Sequence, residues 1–141
     1  MALGDQVYAM REIASVPGVY EHHGIDCGDD AIIHYYKGGD VPTITSTPRE
    51  LFARGGRIFV KPRATAFLPH IVVQRAESRL GEQRYDLFTN NCEHFANWAK
   101  TGRSDSEQLA GFGLQIDRYN LPELRRLIEG TTRDRASEEA I

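Results

Sequence analysis

The sequence predicts an α+β domain in which a small antiparallel sheet packs against helices. Three observations carry this reading. Strand-like segments fill the first part of the chain and helix signals follow later. Two strand-like segments, 19–27 and 31–36, are separated by Gly28-Asp29-Asp30, a turn signal that makes them a hairpin. The 141 residues, 40% hydrophobic and 26% charged, suit one soluble domain with its own core.

Element by element, residues 6–10 form a short apolar-rich strand, followed by the hairpin. Residues 38–46 read as a loop. Thr47-Pro48-Arg49-Glu50 has a capping threonine, a proline at the first helical position and a glutamate three after the cap. This is a capping box, so a short helix should start there and stop near Gly55-Gly56. Residues 57–61 read as a strand. Pro69 opens a helix through Leu80 with Gly81 as its C-cap, and residues 91–100 form a helix stopped by Gly102. A last helix begins at Asn120-Leu121-Pro122-Glu123 and ends at Gly130. Its Leu121, Leu124, Leu127 and Ile128 form one stripe, which should pack on the domain or on a second copy of the chain. The expected domain spans residues 1–130, with a polar, disordered tail over 131–141.

Net charge is −3 and the basic residues are dispersed, which argues against nucleic acid as a partner. No apolar run approaches the ~20 residues of a membrane span. The first seven residues lack signal-peptide character, and neither end carries a lipidation motif. The expectation is a soluble cytoplasmic protein. Its two cysteines, Cys27 and Cys92, do not make a secreted disulfide framework.

Cys92 follows Asn90-Asn91, either of which can cap a helix, so it lies in the first helical turn. Unpaired N–H groups and the helix dipole favour a thiolate there. A free thiol is only about 3% ionised at pH 7, but such a site with a nearby imidazolium can lower its pKa to roughly 3.5–7.5. His94 is two residues on, about 200° around the helix, and points away as a surface or supporting residue. Phe95, Ala96 and Ala99 share the Cys92 face and read as core. His70 opens a helix and should be exposed. On the hairpin, alternation places Tyr20, His22, Gly24 and Asp26 on one face and His23, Ile25 and Cys27 on the other. A three-residue loop sets His34 opposite Gly24, with His22 diagonal to it at about 7 Å between Cβ atoms. A two-residue loop would put the two histidines on opposite faces.

The segment His22-His23-Gly24-Ile25, His34 twelve positions after His22, and Asn91-Cys92-Glu93-His94-Phe95 resemble the lecithin–retinol acyltransferase-like (LRAT-like) family. That family is a circularly permuted branch of the NlpC-type papain-like thiol enzymes. The likeness extends from Gly4-Asp5 through Arg75–Gly81 and Tyr85 to Trp98, Gly102 and Ser106-Glu107-Gln108. It implies a permuted papain-like thiol domain with Cys92 as nucleophile, His22 as base and His34 orienting His22. Tyr20 matches a position that can place a hydroxyl near the oxyanion, and the Cys92 N–H is a second donor. The sequence departs from the pattern at His23, where an aromatic is usual, and lacks the C-terminal hydrophobic anchor of vertebrate members. No insert points to a retinoid.

The leading expectation is therefore a cysteine-dependent acyltransferase or acyl hydrolase working through a thioester. An acyl-bearing small molecule or a lipid, first of all a phospholipid ester, is the donor that the resemblance implies, and no cofactor is called for. The rivals are a thiol peptidase or amidase, and a non-catalytic interaction module on the same fold. A zinc site from His22, His34 and Cys92 lacks any C-x-x-C or H-x-x-x-H support, so no metal is expected.

Overall fold

A computed structural model describes residues 1–12, 19–86 and 90–104. The expected helix over 120–130, with its Leu121–Ile128 stripe, and the expected tail over 131–141 lie outside the described residues. The elements are β1 (Gln6–Glu12), β2 (Val19–Asp26), β3 (Ala31–Tyr36), β4 (Thr43–Pro48), α1 (Arg49–Ala53), β5 (Phe59–Val60), α2 (Pro69–Glu77) and α3 (Cys92–Thr101). Among the described residues five strands form one antiparallel sheet in the order β4-β3-β2-β1-β5. The α+β class and the small antiparallel sheet are those the sequence predicts.

Paired residues of an antiparallel ladder share a face, so the registers sort the side chains into two layers. On one face Val7, Ala9 and Ile32 pack around Phe52 of α1, and all four are buried. The other face sets Ile25, Ile33, Tyr35 and Ile44 against Val72 and Ala76 of α2 and Cys92, Phe95, Ala96 and Ala99 of α3. Asp26, fully buried, receives both Nη2 contacts of Arg49 at 2.9 and 3.1 Å, which ties the start of α1 to the hairpin.

Three elements differ from the sequence expectation. The stretch 38–46 is not all loop, because Thr43 begins β4, which pairs with β3 along its whole length. The β-branched run Thr43-Ile44-Thr45 is the signal for it. The capping box at Thr47 does not form. Thr47 ends up within β4, Pro48 is the N-cap without a side-chain cap, and the Thr47 hydroxyl is used elsewhere. The second helix stops at Glu77 rather than Leu80, and turns carry the chain to Gly81, at φ +89°, whose N–H donates to Ile44 O.

Gly24 is a packing requirement. A Cβ there would lie 2.7 Å from Ile32 Cγ2 and 3.0 Å from Phe52 Cε2. Gly24→Ala should destabilise by about 1–3 kcal/mol through this overpacking. Gly39→Ala, with nothing within 4 Å, should stay within about 0.5 kcal/mol of the parent. Urea midpoints of the two variants check this, and equal midpoints would contradict the packing described.

Candidate active site

The site is built from a helix start and a hairpin. Asn91 caps α3 reciprocally: its side chain accepts from His94 N, and its own N–H donates to His94 Nδ1, both at 3.0 Å. Histidine here does the work of the usual Glu or Gln, and such a cap contributes about 1 kcal/mol. Cys92 is thereby fixed as the first helical residue. His94, expected at the surface or in support, is buried and supports the helix start. Asn90 anchors the approach, donating to Tyr35 Oη and Arg84 O, each at 2.9 Å. Phe95, Ala96 and Ala99 are buried core, and His70 is exposed, as expected.

The hairpin turn has the three-residue form. Cys27 N–H donates to Ala31 O, and Gly28, Asp29 and Asp30 lie between them with φ of 76°, 51° and 62°. Asp26 Oδ1 braces the turn by accepting from Gly28 N at 2.9 Å. The register Ile25↔Ile33 and Asp26↔Ile32 carries His34 to the position opposite Gly24. His22 Nε2 and His34 Nδ1 are then 2.8 Å apart, with the rings edge to face. Phe52 touches both rings, with centroids 5.3 Å from His22 and 5.0 Å from His34.

Thr47 gives this pair a direction. Its Oγ1 is 2.8 Å from His34 Nε2, and its hydroxyl donates onward to Pro48 O at 3.4 Å. With that proton on Pro48 O, Oγ1 would accept from His34 Nε2–H. His34 Nδ1 is then the lone-pair nitrogen and accepts from His22 Nε2–H. This leaves His22 Nδ1 as the basic nitrogen. Nothing in the sequence pattern marked Thr47 or Phe52 for this role, because the capping-box signal drew Thr47 towards α1.

Cys92 comes from the other face of the sheet. Among the described residues the β2–β3 ladder stops at Ile25↔Ile33, and beyond it the Cys92 thiol donates to Glu21 O at 3.8 Å. One cleft collects Cys92, His22, His34 and Tyr20. Tyr35, Tyr36, Tyr85, Leu51 and Pro42 wall it, and Arg11, Lys37 and Arg54 also line it. It leaves about 40 Å³ of water-accessible space, so a ligand larger than a few atoms must extend out of its mouth.

Burial dominates the electrostatics. It holds His22 well below the usual histidine range, helped by the charges of Arg11, His34 and Arg54. It lowers His34 to about 3, again with Arg11 adding to the effect. It raises the Cys92 thiol to about 11, although a backbone hydrogen bond from His23 opposes this. The resting groups are therefore a neutral thiol and neutral imidazoles. The thiolate expected from the helix start does not prevail, because desolvation outweighs the helix terminus.

His23 faces away from His22, as alternation requires, and is fully buried. Its Nε2 lies 3.0 Å from Glu21 Oε1 and 3.7 Å from Glu93 Oε2. These three side chains are a group with metal-ligand spacing, their donor atoms all within 4.8 Å. The surrounding bonds do not fit a metal there. Arg63 Nε donates to Gln6 Oε1, so the Gln6 amide nitrogen faces His23 and donates to Nδ1 at 3.1 Å. His23 Nε2 then carries the proton and donates to Glu21, which leaves no lone pair for a cation. Cys27 and Cys92 are both free thiols.

Comparison with known proteins gives this geometry its context. Residues 1–105 match the family described as "Lecithin retinol acyltransferase". Protein LEAD-SENSITIVE 1 of Arabidopsis thaliana is 29% identical over 150 aligned positions, which cover 70% of this chain and 56% of that protein. Lecithin retinol acyltransferase of Bos taurus is 38% identical over 79 positions, covering 52% of this chain and 34% of that protein. The chain thus matches only about half and a third of the lengths of these two relatives. The matched segment takes in β1 through α3, including Cys92, His22, His34 and Tyr20, and the chain belongs to the lecithin retinol acyltransferase family.

Proposed function

We propose that this chain is a cysteine-dependent acyltransferase or acyl hydrolase, with Cys92 as nucleophile, His22 as general base and His34 as the residue that orients His22. The observation that carries the proposal is the hydrogen-bonded pair His22–His34 sharing one cleft with a cysteine at a helix start. Family membership supports acyl transfer at the level of the family. The reading includes a permuted papain-like arrangement, in which the helix bearing the nucleophile follows the strands bearing the base. It also includes one domain over residues 1–130 acting in the cytoplasm, with a second copy of the chain as a candidate partner. Among the described residues no helix is long and apolar enough to cross a membrane.

In this mechanism the thiol is neutral until the substrate arrives. His22 Nδ1 takes the Cys92 proton as the sulfur attacks the acyl carbonyl, so attack and proton transfer are coupled. Tyr20 and the Cys92 N–H are the donors proposed for the oxyanion. As the tetrahedral intermediate collapses, His22 returns that proton to the leaving oxygen or nitrogen, and a thioester remains on Cys92. His22 then takes a proton from water or from an acceptor alcohol or amine, which attacks the thioester. The acyl group leaves as free acid, ester or amide, and the proton goes back to sulfur. The tyrosine rings, Leu51 and Pro42 of the cleft suit an acyl chain, and a phospholipid ester is the donor we favour.

Intact-protein mass spectrometry after incubation with a lipid extract tests the chemistry. An acyl mass on Cys92, released by hydroxylamine, is the expected result. An adduct that persists in Cys92→Ala would contradict it. His22→Ala should abolish turnover about as completely as Cys92→Ala, because groups acting as a unit are not additive. His34→Gln should cost less, roughly 10–100-fold, as an orienting residue does.

The pH dependence follows from the direction of the His22 shift. A base held below the usual histidine value stays neutral under mild acid. The acid limb of kcat/KM should therefore lie below pH ~6.5. Stability has the corresponding sign. The unfolded histidines bind protons near pH ~6.5 while buried His22 and His34 do not, so stability is full above that pH. It should fall on acidification by up to about 1.4 kcal/mol per pH unit for each histidine. Denaturant titrations at pH 7.5, 6 and 5 read this slope, and a flat profile would contradict the buried neutral pair.

A further inference from the structure

His23 follows His22 in β2, but its ring lies on the opposite face of the sheet, against α3. Two carboxylates converge on that ring. Glu21 precedes His22 in the chain, and Glu93 follows Cys92. Their oxygens lie 3.0 Å and 3.7 Å from His23 Nε2. One ring nitrogen therefore gathers the immediate chain neighbours of the proposed base and of the proposed nucleophile. His23 and Glu93 are both fully buried.

The other ring nitrogen reaches α3 by a second route. Gln6 Nε2 of β1 donates to His23 Nδ1 at 3.1 Å and to Asn97 Oδ1 at 2.8 Å. Asn97 lies four residues after Glu93, so both routes meet one face of α3 a turn apart. Arg63 closes the array, with Nε donating to Gln6 Oε1 at 3.0 Å and Nη2 donating to Asn97 Oδ1. Tyr8 covers the His23 ring, with centroids 5.7 Å apart. Both nitrogens of His23, and the oxygen and both amide hydrogens of Gln6, are thus engaged in a buried network. Apolar contacts between a helix and a sheet tolerate small slides. Directional bonds to both ends of one ring do not, and the low dielectric around them strengthens each.

Cys92 meets the backbone of β2 at this point. Its thiol lies 3.8 Å from Glu21 O, and the His23 backbone N–H also bonds to the sulfur. We propose that His23 is a positioning residue for acyl transfer: through Glu93, and through Gln6 to Asn97, its ring clasps the strand that carries His22 to the helix start that carries Cys92. The inference rests on the acyl-transfer reading and assigns it a further residue. His23 acts through the backbones on either side of it and not on the reacting atoms. A displacement of about 1 Å between reacting groups can cost about 100-fold in rate, so the clasp acts on turnover as well as on stability.

The full chain with p-nitrophenyl butyrate as acyl donor tests this. His23→Phe keeps a ring against Tyr8 and removes both nitrogens. It should lower kcat about 100-fold and leave KM within about threefold, the split expected when only the transition state is misaligned. His23→Gln keeps a donor near the place of Nε2 and should hold kcat within about tenfold of the parent. Iodoacetamide labelling of Cys92 at pH 7.5, located by peptide mass spectrometry, should move the other way. The parent thiol is buried and raised to about 11, and loosening the clasp should speed its labelling several-fold. If His23→Phe does not fold, Glu21→Gln, whose side chain is 28% exposed, removes one carboxylate from the array. It should lower kcat about tenfold at unchanged KM. A folded His23→Phe with parental kcat, a His23→Gln as impaired as His23→Phe, or a Glu21→Gln with parental kcat would each overturn the clasp. A parent chain that releases no nitrophenol through Cys92, while His23→Phe still speeds labelling, would sink the acyl-transfer reading and leave the clasp standing.

Discussion

The three-residue turn at Gly28-Asp29-Asp30 is the constraint on which the candidate site depends. Strand side chains alternate with period two, so a one-residue change in the turn would move His34 to the opposite face from His22. With three residues in the loop, Cys27 meets Ala31, Ile25 meets Ile33, and the two imidazoles come within 2.8 Å. The turn is demanding, since three successive residues have positive φ. Glycine accepts this readily and aspartate tolerates it better than most residues. Gly24 completes the arrangement by leaving room for Phe52 against both rings.

The same hairpin explains how a helix packed on one face can reach histidines on the other. The ladder between β2 and β3 is registered only near the turn, and past it the Cys92 thiol addresses the Glu21 carbonyl. The cleft therefore contains residues from both faces, Tyr35 from one and His34 and Tyr36 from the other. Burying the pair has an electrostatic consequence. Desolvation disfavours every charged form, so the thiol is raised and the imidazoles are lowered together. The resting groups are then neutral, and in the proposed mechanism the proton would move only as a substrate carbonyl is attacked.

Much of this was legible in the sequence because it depends on period and spacing. The alternation of Tyr20, His22 and Gly24, the turn residues, and the helix start at Asn91-Cys92 are local signals, and the structure agrees with each. What was not legible depends on competition between local and tertiary partners. Thr47-Pro48-Arg49-Glu50 has the pattern of a capping box, yet the Thr47 hydroxyl lies against His34, a partner thirteen residues away. From its angle on the helix His94 reads as a surface or supporting residue, and its burial and its bond to the backbone of its own N-cap select the supporting role. The thiolate expected at Cys92 failed for a related reason. Helix position is local, whereas desolvation depends on everything packed around the sulfur. Arg11 and Arg54 lie far apart in sequence and line one cleft only because β1 and the end of α1 meet there.

The direction of the hydrogen bonds from His22 through His34 to Thr47 decides which imidazole nitrogen is basic. Nitrogen-15 NMR of the imidazoles in the full chain at pH 7 reads that direction from the tautomer of each ring. Neutral rings with the proton on Nε2 of both His22 and His34, and a basic Nδ1 on His22, are the expected result. A His22 ring protonated at Nδ1, or an imidazolium at that pH, would contradict it.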